Sequence, residues 1–159
     1  MNIKTLKTLF ILFNANLFDG RIPICEIVLK KLPKKENLGS FNFGVKTYPR
    51  IVLDSELHDL TMLEVLLHEM CHAYVFAVYP KIEKEHGSKF KKIYKQIFGL
   101  PYNIDHRTTP FWLMNIFSNL HINLVLPKED LKVINKMEVD FDKNLKLAKA
   151  KWKKRSKQS

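Results

Sequence analysis

Cysteine is scarce in this chain: two residues, Cys25 and Cys71, in 159. That excludes a disulfide framework and a four-cysteine zinc ribbon. Five glycines and seven prolines exclude collagen-like or low-complexity character. No apolar run approaches the 18 or so residues that a spanning helix needs, so no membrane partner is expected. The apolar stretch at 9–13 stops at Asn14 with no small-residue cleavage site behind it, which argues against a signal peptide. The chain is therefore expected to be intracellular, with both thiols reduced. Acidic residues are also short, 16 against 27 Lys and Arg, for a net charge of +11. Such a balance attracts polyanions and says nothing about fold. What is present is ordinary for one globular domain: 46% hydrophobic and 27% charged residues.

Periodicity supplies the elements. Ile3, Leu6, Leu9, Phe10, Phe13 and Leu17 recur at spacings of three and four, which predicts a helix over 3–17, ended by Asp19-Gly20. Three β-prone runs follow at 24–29, 41–46 and 50–53, separated by turn material. Their short connections predict a small antiparallel meander, with Gly44 marking a bulge or a close backbone approach. Thr61 and Glu64 read as a capping box opening a second helix that Pro80 stops. That helix is apolar on nearly every face and must be the buried centre of the fold. A third helix is expected over 88–98, ended by Gly99 and Pro101. Residues 110–126 read equally as a helix from Pro110 or as a strand over 121–126. After Pro127 a last helical stretch carries Leu131, Ile134, Met137 and Phe141. The expected class is α+β, with a domain over 1–142 and a basic, flexible tail over 143–159.

Within the buried helix stands His68-Glu69-Met70-Cys71-His72. Four residues advance a helix by about 400°, so the two imidazoles project about 40° apart, one turn apart along the axis. Both can reach one ion. Glu69 lies about 100° round from His68, placed to hydrogen-bond a metal-held water rather than to ligate. Polar side chains are costly in an apolar helix unless paired or coordinated. The bland alternative is a pair of hydrogen-bonded core histidines. Cys71 points away from the ligand face and is expected in the core.

A catalytic zinc takes three protein ligands and an open position. His86, with thirteen residues between it and His72, follows a connection long enough to turn back; Glu83 or Glu85 is the competing third ligand. His58 precedes the helix on a polar turn, His106 lies in a polar segment and His121 in the ambiguous one.

Three stretches, Asn16-Leu17-Phe18-Asp19-Gly20-Arg21-Ile22-Pro23, Leu66-Leu67-His68-Glu69-Met70-Cys71-His72-Ala73-Tyr74 and Glu85-His86-Gly87-Ser88-Lys89-Phe90, occur in the order and spacing of one family. Over roughly residues 5–105 the chain resembles the SprT-like zinc metalloproteases. The resemblance implies a zincin-like fold, a small antiparallel sheet packed on the H-E-x-x-H helix with flanking helices. It implies that His68, His72 and His86 bind one Zn²⁺ and that Glu69 is the general base. It also implies protein substrates and DNA association, since Spartan-like members degrade proteins crosslinked to DNA, a DNA-repair role. Many relatives carry a cysteine-rich zinc-binding segment after the protease core, and no cysteine follows Cys71 here.

Lys143 onward carries eight cations and no acid. Lys149, Lys151, Lys153, Lys154, Arg155 and Lys157 are expected to contact phosphates, and Trp152 to stack on an unpaired base. The bland reading is a disordered solubilising end. The oxyanion donor stays open among Tyr102, His106 and Arg107. The chain is expected to act as a monomeric zinc endopeptidase. Its rivals are a nucleic-acid-binding protein with a structural zinc and a regulatory peptidase with a single protein target.

Overall fold

The computed structural model describes residues 1–33, 38–81, 84–102, 113–114 and 128–158. The expectations for 110–126, His106, Arg107, His121, Glu83 and the side chains of Leu131, Ile134 and Met137 lie outside the described residues.

Helix α1, Ile3–Leu17, starts at Asn2, whose Oδ1 accepts the Thr5 backbone N–H at 2.9 Å. It ends where Asp19 and Gly20 turn into the left-handed region, and the Gly20 N–H closes on the Asn14 carbonyl at 2.8 Å. The Asn14 amide then clamps both backbone groups of Ile22. That fixes the entry to strand β1, Glu26–Lys30.

Strands β2, Gly39–Asn42, and β3, Arg50–Asp54, complete a three-stranded sheet in the order β1-β3-β2. The expected antiparallel meander is corrected here: β3 pairs parallel with β1 and antiparallel with β2, so the sheet is mixed. Short connections set the alternating direction of the strands but not their order. The order follows from β3 itself, where Ile51, Val52 and Leu53 are all buried. A strand apolar on both faces takes the centre.

The close backbone approach belongs to Gly39, not Gly44. A Cβ on Gly39 would stand 2.5 Å from Val65 Cγ1 and 2.9 Å from the Val52 carbonyl oxygen. Gly44 instead exchanges hydrogen bonds with Thr47 in a tight turn.

Helix α2, Asp59–Val78, begins two residues before the expected capping box, with His58 at its N-cap and no side-chain cap. Asp59 pairs with the amino terminus of Met1. Met62, Leu63, Leu66, Leu67, Met70 and Cys71 are fully buried between the sheet and the other helices, so α2 is the central rod as expected. Helix α3, Ser88–Phe98, packs Phe90, Ile93, Ile97 and Phe98 inward and ends at left-handed Gly99.

Helix α4, Lys128–Gln158, corrects the expectation of a flexible tail: 143–158 continue the helix. Phe141 is buried edge-on against Phe10, with ring centroids 5.9 Å apart. Lys149 pairs with Glu26 at 3.2 Å, and Trp152 meets Tyr48 edge-on at 6.0 Å. Among the described residues, no helix is long and apolar enough to cross a membrane.

Candidate metal centre

Helical spacing stacks His68 and His72 on one face of α2. Pro80 ends that helix, and the chain turns back so that His86, at the threshold of α3, faces the same space. His68 Nε2 lies 3.2 Å from His72 Nε2 and 3.3 Å from His86 Nε2. The ligand atoms of all three lie within 4.8 Å of one another, the one such cluster among the described residues.

Do these residues fit a metal? Ligand distances of 2.0–2.1 Å in a tetrahedron separate neighbouring nitrogens by roughly 3.3–3.4 Å. The two separations from His68 match those edges, and the His72–His86 pair lies within 4.8 Å. A ring nitrogen carries one proton or one in-plane lone pair. His68 Nε2 therefore cannot make full hydrogen bonds to both neighbours, whereas one central cation would engage all three lone pairs. The residues fit. Three imidazoles suit zinc and also copper, iron or nickel.

Electrostatics keep the donors ready. Burial lowers the His72 pKa to about 3, with His68 and His86 pushing the same way. Burial also lowers His86, and Lys91 adds to this against the opposing charge of Glu85. Both rings thus keep a free lone pair at neutral pH, the form that binds metal.

Flat rings brace the ligands, a feature the motif did not announce. His72 stacks on Phe90 with centroids 4.3 Å apart and a 25° interplanar angle, and His86 stacks on Tyr102 at 4.8 Å and 23°. Phe90 was legible only as an apolar position of α3, and Tyr102 only as an oxyanion candidate.

Glu69 is 5% exposed. Burial pushes its carboxyl up to about 8, the Glu85 charge adds to this, and a hydrogen bond from the Phe41 backbone N–H opposes it. That N–H faces away from β3. The Asp54 N–H bonds the Leu38 carbonyl, and alternation along the antiparallel pair turns Phe41 outward. The outer edge of β2, which pairs with no strand among the described residues, therefore passes beside Glu69. Glu85 is exposed and stands outside the histidine cluster. Cys71 is wholly buried and its thiol is pushed well above its usual range by burial, then by Glu69, as a core residue would be. His58 is exposed at the N-cap of α2.

The expected nucleic-acid residues divide. Lys149 is bound to Glu26, and Trp152 is half-buried against Tyr48. The base-stacking expectation for Trp152 competes with that contact. Lys151, Lys153, Lys154, Arg155 and Lys157 are exposed on α4.

The model of the SprT-like family matches residues 6–107, well over half of the chain and the span that holds all three histidines and Glu69. The chain belongs to the SprT-like family. No curated protein matches it significantly. The SprT-like match and the histidine cluster together support a metallopeptidase-type domain with a metal site. Helix α4 lies beyond the SprT-like span.

Proposed function

We propose that this SprT-like chain is a zinc-dependent endopeptidase that acts on DNA-bound or DNA-crosslinked proteins. The observation that carries the peptidase reading is the pair of Nε2 separations, 3.2 and 3.3 Å, beside a buried glutamate. His68, His72 and His86 would hold the ion, which when bound supplies acidification of water and polarisation of a scissile carbonyl. Glu69 is the base: its carboxylate takes a proton from the attacking water and delivers it to the leaving amine. Burial, which raises the Glu69 carboxyl, favours its holding the proton between the two transfers. The substrate lies extended along the outer edge of β2, where main-chain pairing tolerates many sequences. Packing of Tyr102 on His86 favours it among the oxyanion candidates.

The DNA-associated part of the reading rests on α4. Its exposed lysines and Arg155 act as phosphate contacts with little base preference. The test combines metal content with casein cleavage, with and without single-stranded DNA, for the native chain and Glu69→Gln. Zinc near one equivalent in both proteins is expected. Cleavage should occur in the native chain alone, losing 10² to 10⁴-fold in the variant. Zinc without cleavage would leave a structural metal in a nucleic-acid-binding protein. DNA-independent cleavage of a single target would make the basic helix incidental.

A further inference from the structure

Next to the histidine cluster the surface opens into a cleft of about 530 Å³ that the proposed chemistry does not use. His72 and Glu85 stand at its metal-proximal end, and Phe41, Phe43, Val75 and Phe76 line it. The three phenylalanine rings touch one another, with centroids 4.3 Å apart for Phe43–Phe76, 5.4 Å for Phe41–Phe43 and 5.6 Å for Phe41–Phe76. Phe43 is left 47% exposed at the rim.

Two periodicities make this arrangement. His68, His72 and Phe76 follow at four-residue steps along α2, so the metal-facing stripe of the helix runs on into the aromatic floor. Phe41 and Phe43 are two apart on the β2 edge and its continuation, so their side chains fall on one face. The cleft is therefore continuous with both the histidine that borders it and the edge along which a peptide would pair. An extended peptide presents alternate side chains to opposite faces. One residue flanking the scissile bond then points down onto Phe43 and Phe76.

We infer that this cleft is a specificity subsite for a large apolar side chain, Phe, Leu, Met or Trp, immediately flanking the bond that is cut. The inference rests on the peptidase reading and adds a substrate class to it. Beyond His72 and Glu85, the lining side chains have no part in the proposed chemistry, yet four apolar ones converge here: Phe41, Phe43, Val75 and Phe76. The volume exceeds any single side chain, so the site selects for apolar surface and not for a particular shape. Trp is accepted as readily as Leu. Glu85 is the lone carboxylate of the lining and is itself exposed, so water screens its charge.

The test uses dye-labelled heptapeptides of an Ala/Gly host with one guest, Phe, Leu, Ala, Lys or Glu, moved along the sequence. With the zinc-loaded full chain, Phe and Leu guests at one flanking position are expected to be cut tenfold to a hundredfold faster than Ala. In Phe43→Ala and Phe76→Ala that preference falls to within about threefold. Thermal melts check folding, and the exposed Phe43 is the variant least able to perturb it. A second measurement needs no turnover: anisotropy of the same peptides on Glu69→Gln, where the Phe guest binds about tenfold more tightly than Ala and the gap closes in Glu69→Gln/Phe43→Ala. Discriminating binding without any cleavage in the native chain would sink the peptidase reading and keep the apolar side-chain site. Cleavage with no guest preference, a preference for Lys set by Glu85, or a preference unmoved by Phe43→Ala would overturn the inference and leave the peptidase reading standing. Neither cleavage nor discriminating binding would overturn both.

Discussion

Helices α2 and α4 are the two longest in the described chain and are held in unlike ways. Of the twenty residues of α2, ten are buried, on nearly all sides. Helix α4 docks along a single seam, with Phe141, Leu145, Ala148, Lys149 and Trp152 turned toward the body and seven of its last eight cations exposed. A helix gripped all round fixes its side chains closely enough for ligation. A helix gripped along one seam keeps most of its surface free for a partner. In this chain two of the three clustered imidazoles, His68 and His72, are on the first and the exposed terminal cations are on the second.

Breaking each grip should show the difference. Leu66→Ala, at a fully buried α2 position, should cost about 2–5 kcal/mol, read as a fall in the denaturation midpoint. Deleting 143–159 should weaken binding to single-stranded DNA and flatten its salt dependence; unchanged binding at low salt would remove α4 from the interface. Its effect on the body should be far smaller than that of Leu66→Ala. Phe90→Leu takes the stacked ring from His72 and should lower metal affinity by roughly 10-fold or more, as loss of outer supports does elsewhere, measured by chelator competition. Trp152→Ala, which loses the edge contact with Tyr48, should cost about 1 kcal/mol, visible as faster amide exchange confined to the end of α4.

The smallest effect concerns Glu26. Burial raises its pKa, but the hydrogen bonds and charges of Lys149 and Arg50 outweigh burial, so the folded value is lowered. The sign follows: its contribution is present above the unfolded carboxylate pKa and is lost as pH falls through the lower folded value. Partial exposure keeps that contribution under about 1 kcal/mol. Glu26→Gln should therefore abolish a shallow loss of α4 docking in acid, with little change at pH 7.

Local patterns carried the helices and the His68–His72 pair, while His86 stood open against Glu83 and Glu85 until the family resemblance chose it. The three- and four-residue spacings of α1, the H-E-x-x-H register in α2 and the Pro80 stop are all set by neighbours in sequence. The sheet order was not legible, because β3 reaches the centre through pairings between segments more than twenty residues apart. The aromatic cleft joins Phe41, Phe43 and Phe76 by the same kind of long-range packing. Helix α4 was legible but masked by its charge. Phe141, Leu145, Ala148 and Trp152 step by four, three and four, and Leu, Ala and Lys are strong helix formers. Composition suggested a solvated end where periodicity pointed to an amphipathic one.

Gly39 presses bare backbone onto Val65 one helical turn before Glu69, while Phe41, two strand residues on, reaches Glu69 itself. Two strand residues and four helical residues both span roughly 6–7 Å, so strand and rod march in step from that point of contact. The height of the β2 edge over the acid is thus governed from a distance, by a hydrogen atom where any other amino acid would place a carbon. A methyl group there would act as a shim, lifting the whole rail from its bed.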